Sequence, residues 1–196
     1  MTVLLKRKLF TADEYLLLEK HADYRSQYYY GEIFAMVGAS RRHNIVSGNT
    51  AASLHAQLRR KLCEIYQSDM RVKIYDDFYT YPDVVVVCGD ARIERRGGEN
   101  LLNPTVLIEV LSRSTAKFDR TEKAESYRSI PSVQEYIVIW QDRVRVERLA
   151  RQSNNQLVLT EFKNQTDIVN LDSINCQLSL ADVYERVDFN EVEAAE

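Results

Sequence analysis

Pro82-Asp83-Val84-Val85-Val86-Val87 and Val106-Leu107-Ile108-Glu109-Val110-Leu111 are the two stretches on which the reading of this chain turns. Each is apolar at consecutive positions, the pattern of a strand covered on both faces. Each also carries one carboxylate, and a buried carboxylate is costly unless it is paired, hydrogen-bonded or bound to a metal. Two such strands in one small chain point to a shared site where a divalent cation supplies the missing charge. That is the outline of a metal-dependent hydrolase.

At 196 residues the chain is long enough for one well-cored domain and short for two. Residues 1–196 therefore read as one domain, with 1–8 and 190–196 expected to fray. With 45% hydrophobic and 28% charged residues, the composition is that of a globular protein and excludes disordered, collagenous and disulfide-scaffold classes. The three cysteines, Cys63, Cys88 and Cys176, are far apart, odd in number and in no metal-ligand spacing, and are expected to be reduced core or strand residues. No apolar run approaches the ~18 residues of a membrane span, and the first residues reverse the charge order of a signal peptide. A cytoplasmic protein without membrane contact is expected. The formal net charge of -3 gives no global support to nucleic-acid binding, so any basic surface must be local.

Outward from the two acidic strands, the remaining elements follow from pattern. Thr11-Ala12-Asp13-Glu14 reads as a capping box, with Phe10 and Tyr15 as a hydrophobic staple, opening a helix to about Lys20. Tyr28 to Met36 reads as one strand with Tyr28, Tyr30, Glu32, Phe34 and Met36 on one face. His43 to Leu62 has apolar positions at helical spacing and Arg59-Arg60-Lys61 in its last turn. Strands are expected at Cys63 to Gln67 and Met70 to Tyr75, and Gly89 to Asn103, with Gly97-Gly98, reads as a surface loop. Asp119 is placed to cap a helix that Pro131 ends after about Ser129. Glu135 to Trp140 is strand-like. Arg143 to Leu149 alternates, with Val144 and Val146 inward and Arg143, Arg145 and Glu147 outward, and an Asn154-Asn155 turn leads to a strand from Leu157 to Phe162.

A strand period of two puts Leu107, Glu109 and Leu111 on one face. A lysine two residues after the acid would set ammonium beside carboxylate, but that position is Leu111, so the basic group must come from elsewhere. Lys123 is the candidate. A lysine in a first helical turn opposes the helix dipole, and its side chain leans back toward the loop leaving the Glu109 strand. Its plain alternative is a solvated partner of Asp119 at i, i+4. Arg113, Lys117, Arg120 and Lys123 together exceed Asp119 and Glu122 by two positive charges, a local surface suited to phosphates.

Phe10-Thr11 with Glu14-Tyr15, Gly31-Glu32-Ile33, His43-Asn44, Ser68-Asp69-Met70-Arg71-Val72, Tyr81-Pro82-Asp83, Asn103-Pro104-Thr105, Ile108-Glu109-Val110-Leu111-Ser112, Glu122-Lys123 and Ile130-Pro131-Ser132 together resemble the Uma-two-type restriction endonuclease family of the PD-(D/E)xK nuclease superfamily, over roughly Leu9 to Val187. The resemblance implies an α/β (α+β) restriction-endonuclease-like core, a central mixed sheet flanked by helices with additional hairpin strands. It also implies Asp83 and Glu109 as ligands of Mg²⁺ or Mn²⁺, and Lys123 as the superfamily lysine moved to the next helix. Two positions depart from the pattern: Leu111 replaces the strand lysine, and Arg113 stands where proline is usual.

The activity so implied is hydrolysis of DNA phosphodiesters, with Arg113, Lys117 and Arg120 holding backbone phosphates. Glu32 is a candidate to position a water or the lysine, against the plainer role of a tyrosine's hydrogen-bond partner in a hairpin. His43 is a candidate water activator or phosphate contact, against an ordinary residue of a helix start. Asp69 and Arg71 are candidates to support the site, against a structural ion pair. A homodimer is expected if both strands of a duplex are cut. The competing reading is a catalytically inactive module that binds nucleic acid or a protein partner. The acidic composition and Leu111 favour it, and the retained Asp83, Glu109 and Lys123 oppose it.

Overall fold

The computed structural model describes residues 9–36, 38–111 and 116–190, the Lys117 side chain excepted. Nearly all of the ends expected to fray lie outside these residues. The elements run α1 (Ala12–His21), β1 (Ser26–Tyr29), β2 (Glu32–Ala35), α2 (Arg41–Leu58), β3 (Cys63–Gln67), β4 (Arg71–Tyr75), β5 (Phe78–Thr80), β6 (Val84–Cys88), β7 (Ile93–Arg95), β8 (Glu99–Leu101) and β9 (Val106–Leu111). There follow α3 (Ala116–Phe118), a π-helical turn (Asp119–Lys123), α4 (Ala124–Ser129), β10 (Glu135–Trp140), β11 (Val146–Arg151), β12 (Leu157–Phe162), β13 (Ile168–Leu171), β14 (Cys176–Ser179) and α5 (Leu180–Val183).

The central sheet has the order β12-β11-β10-β9-β6-β3. It is mixed: β9 and β10 are parallel, from Val106 opposite Glu135 to Leu111 opposite Trp140, and the other pairs are antiparallel. A parallel pair needs a crossover, and the segment bearing α3, the π turn and α4 supplies it. β6, β9 and β10 are apolar on both faces because both are covered. Val84, Val86, Ile108, Val110, Ile137 and Ile139 pack with Val46, Leu54 and Leu58 of α2. Val85, Val87, Leu107, Leu111 and Val138 point the other way, toward Tyr127 and Ile130. A second sheet, β2-β1-β5-β4-β8-β7, and the hairpin β13-β14 complete an α+β fold with the helices and extra hairpins expected. No described helix is long and apolar enough to cross a membrane.

The capping box at α1 forms, with Thr11 N–H donating to Glu14 Oε2 (2.8 Å) and Glu14 N–H to Thr11 Oγ1 (3.2 Å). The strand expected over Tyr28 to Met36 is instead the hairpin β1-β2, turning at Tyr30 and Gly31 with φ of 45° and 90°. A two-residue hairpin turn of type I′ demands positive φ at both positions; glycine signals this and tyrosine conceals it. The stretch 89–103 carries the short hairpin β7-β8 rather than open loop. α2 stops at Leu58, leaving Leu62 89% exposed. Glu147 is buried rather than outward, because Arg120 and Arg145 reach its carboxylate. Cys63 and Cys88 oppose each other across β3 and β6 and form a disulfide, against the expectation of three reduced cysteines; Cys176 alone among them is free. Strand register, which residue spacing does not reveal, brings that pair together.

Leu54 is fully buried, so Leu54→Ala is expected to cost ~2–5 kcal/mol in urea unfolding. Leu62→Ala should stay within ~0.5 kcal/mol of the unaltered chain. Equal losses at both positions would place the end of α2 wrongly.

Candidate active site

The register of β6 on β9 pairs Val84 with Ile108, Val85 with Leu107 and Val86 with Val106. Continued by one residue, it sets Asp83 opposite Glu109 on one face of the sheet. Beyond the last paired residue, Val84, the Val110 N–H donates to Asp83 Oδ2 at 2.7 Å. The same oxygen lies 3.2 Å from Nε2 of His43, in the first turn of α2. Ser40 caps that helix, its hydroxyl accepting from His43 N–H (3.2 Å) and donating to Gln141 Oε1 (2.9 Å). Burial disfavours a charged His43, but the hydrogen bond to Asp83 and the charges of Asp83 and Glu109 outweigh it, and the imidazole pKa rises.

Glu109 is 4% exposed. Its Oε1 accepts from Lys123 Nζ at 2.9 Å and from the Tyr127 hydroxyl at 2.8 Å. Lys123 Nζ also lies 2.9 Å from Asp119 Oδ1, and Tyr136 donates its hydroxyl to the Asp119 carbonyl at 3.0 Å. Asp119, Lys123 and Tyr127 recur every four residues through the π turn into α4, which directs all three at the sheet. Burial pulls the Lys123 pKa down, yet Glu109 and Asp119 outweigh it and hold the pKa above the ordinary lysine range. One ammonium cannot balance every acid, and the surplus falls on Glu109. Burial pushes its pKa up to about 8; Lys123 opposes the shift, and Asp119 and Asp83 add to it.

These groups form one end of a cleft of about 500 Å3, with Tyr24, Arg25, Asn44 and Asp69 among its other lining residues. Among the described residues no cluster of three or more His, Cys, Asp or Glu is arranged to hold a metal. Asp83 Oδ1 and Glu109 Oε2 accept no hydrogen bond from the described residues. Two carboxylates, each with an oxygen that no described residue engages, fit a hard divalent cation that keeps most of its water shell.

Of the residues singled out in the sequence, Asp83, Glu109, Lys123 and His43 meet here. Asp69 lines the cleft, paired with Arg25 at 3.3 Å. Arg71 does not: it donates to Asn100 and to the Gly97 carbonyl, so no Asp69–Arg71 pair forms. Glu32 lies opposite Tyr29 in the β1-β2 hairpin and is not among the cleft residues. Arg120 turns away to Glu147, at 3.0 Å, over the Trp140 ring. Arg113 and the Lys117 side chain lie outside the described residues. Asp119 is no N-cap; α3 begins before it, and its carboxylate is buried. Tyr127 and the Asp119 carboxylate were missed, although their spacing of four on either side of Lys123 is a sequence signal for one helix face.

This architecture is that of restriction-endonuclease-like proteins. It matches a solved structure described as a "putative nuclease belonging to DUF820" from Anabaena variabilis ATCC 29413, with a TM-score of 0.73 and 20% identity over 89% of this chain and 97% of that one. The chain belongs to the Uma2 family, described as "Putative restriction endonuclease", which matches residues 12–182. Two relatives from Synechocystis sp. (strain PCC 6803) are each called an uncharacterized protein. One, sll1609, is 37% identical over 84% of this chain and 94% of its own length. The other, slr1290, is 29% identical over 90% of this chain and 92% of its own.

Lys123→Met leaves Glu109 and Asp119 without their cation and should destabilise the chain by ~3–5 kcal/mol near neutral pH. A carboxylate whose folded pKa is raised contributes stability that is complete below its ordinary pKa of 4.5 and lost as pH rises through about 8. Losing Lys123 raises that folded pKa further, so above pH ~8 the variant takes up a proton on folding that the unaltered chain does not. Its deficit in urea unfolding should therefore shrink as pH falls from ~10 to ~8 and level off below, where both chains take up that proton. A deficit independent of pH would contradict the charge balance assigned to this cluster.

Proposed function

We propose that the chain is a divalent-metal-dependent endonuclease that hydrolyses DNA phosphodiester bonds, with Mg²⁺ or Mn²⁺ as cofactor. The observation that carries this reading is the Asp83–Glu109 pair, set opposite each other at one end of a cleft with Lys123 beside them. Asp83 and Glu109 are the residues that would hold the cation, which when bound lowers the pKa of a water and offsets charge on the scissile phosphate.

The other groups act by orientation and charge. Val110 N–H and His43 fix the Asp83 carboxylate, and Tyr127 and Lys123 fix Glu109. Lys123, kept protonated by Glu109 and Asp119, adds positive charge where the phosphate develops its negative charge. Its position on the crossover helix makes up for Leu111 on the strand.

Wild type, Asp83→Asn and Glu109→Gln, identically purified, should be compared on plasmid and single-stranded DNA in Mg²⁺, Mn²⁺ and EDTA. Wild type is expected to cleave only with a divalent cation, and both variants to lose ~100-fold or more, the scale of removing a transition-state charge stabiliser. Mg²⁺ should raise the melting temperature of wild type and not of Asp83→Asn. Equal cleavage by all three proteins, or no cleavage and no Mg²⁺-dependent melting shift in wild type, would overturn the proposal.

A further inference from the structure

We infer that the cleft takes an unpaired DNA strand in preference to intact duplex, with Tyr24 as the stacking surface for an exposed base and Arg25 beside it for the adjoining phosphate. The inference rests on the nuclease reading of the same cleft and specifies its substrate.

Three observations carry it. Tyr24 lines the cleft shared with Asp83 and Glu109, is 61% exposed, and makes no hydrogen bond or ring contact with the described residues. An exposed aromatic ring beside a phosphate-cleaving site is what a base taken out of its stack needs, and it serves every base because each has a π-face. The backbone that presents it is fixed. The Arg25 carbonyl accepts from Met36 N–H at 2.8 Å, and Ser26 N–H donates to the buried Glu19 carboxylate at 3.2 Å. With the adjoining backbone held, only the freedom of the side chain itself is lost on binding.

Charge is the second. Duplex offers mainly its phosphate rails, and affinity for it grows with the number of cations that meet them. Among the described residues of this cleft, the acids Asp69, Asp83, Glu109 and Asp119 outnumber the cations Arg25 and Lys123. Lys123 is already shared between Glu109 and Asp119. Arg25 is the more available, its side chain 46% exposed and held by an Asp69 that is itself 80% exposed, a solvated pair readily exchanged for a phosphate. Binding must then draw on stacking and contacts to bases, which a paired duplex hides.

Shape is the third. The cleft volume of about 500 Å3 lies in the range of small-ligand sites, and Glu109 at its base is 4% exposed. A flexible strand can thread a phosphate into such a recess. Besides its charged groups the recess offers Gln27, Met36 and Asn44, groups suited to bases and sugars.

The test separates binding from cleavage. A short DNA single strand carrying 2-aminopurine, and the same sequence as duplex, are titrated in Ca²⁺ with wild type, Tyr24→Ala and Tyr24→Phe. The single strand is expected to bind wild type about tenfold or more tightly than the duplex, with its fluorescence quenched by stacking. Tyr24→Ala should lose about tenfold of that affinity together with the quenching, the scale of one lost base stack, and Tyr24→Phe should keep both. Duplex bound as tightly as single strand, or Tyr24→Ala binding like wild type, overturns the inference. Cleavage in Mg²⁺ tells the two readings apart. Cleavage of duplex that needs Asp83 but not Tyr24 overturns this inference alone. Stacking-dependent binding without cleavage of either DNA overturns the nuclease reading alone, and binding to no DNA overturns both.

Discussion

A carboxylate in the middle of a strand buried at every position must be neutralised from outside that strand, and much of this molecule is arranged around meeting that demand for Glu109. Its neighbours on the same face, Leu107 and Leu111, cannot help. The compensating cation arrives with the crossover that the parallel β9-β10 pair requires in any case. Between these strands the chain must leave the sheet, form helix and return, so a helix face necessarily passes over the site. Asp119, Lys123 and Tyr127 occupy that face. The wider π turn between Asp119 and Lys123 is of a kind found often at functional sites, and here it carries the acid and the base that meet Glu109.

The second constraint is where the β6-β9 ladder ends. The last paired residue is Val84, and just beyond it the Val110 N–H donates to the Asp83 carboxylate rather than to a carbonyl of the facing strand. A side chain thus takes the place of a ladder bond and anchors Asp83 opposite Glu109. α2 closes the arrangement from the other side. Its apolar stripe of Val46, Leu54 and Leu58 packs on the sheet, and the cap at Ser40 then fixes where His43 emerges. Core packing and the position of the histidine are therefore consequences of the same helix.

The parts that were legible in the sequence are those set by local periodicity. The doubly apolar strands, the capping box at Thr11, the stop at Pro131 and the Leu157–Phe162 strand all announce themselves within a few residues. Asp83 and Glu109 stood out as acids in apolar runs, and the structure places them opposite each other. Lys123 was singled out as a first-turn lysine, but the helix begins at Ala116, so it meets Glu109 for another reason, its place on the helix face turned to the sheet. What stayed hidden depends on register and on partners distant in sequence. The Tyr30-Gly31 turn looked like continuous strand because tyrosine favours strands. The Cys63–Cys88 bond required knowing that β3 lies on β6. Asp119 resembled a cap because, with Glu122 three residues on, it imitates a capping box, and Arg120 resembled a phosphate ligand because nothing nearby in sequence points to Glu147.

Whether the Glu109–Lys123–Asp119 cluster is there for stability or for chemistry can be weighed on energetic grounds. Buried ion pairs pay a desolvation penalty that their attraction does little more than offset, and well-packed apolar side chains of similar volume often do as well or better. Burial pushes the Glu109 pKa up, and the neighbouring Asp119 and Asp83 carboxylates make the balance worse. A fold needing only stability at this point would be served by leucine at 109 and 123, continuing the packing of Leu107, Leu111 and Val138. The cluster is costly as architecture; under the nuclease proposal, a further cation and a phosphate entering the cleft would give Asp83 and Glu109 a ligand and Lys123 an anion to face, and would offset that cost. The proposal of an active enzyme thus gives the burden a reason that an inactive binding module does not.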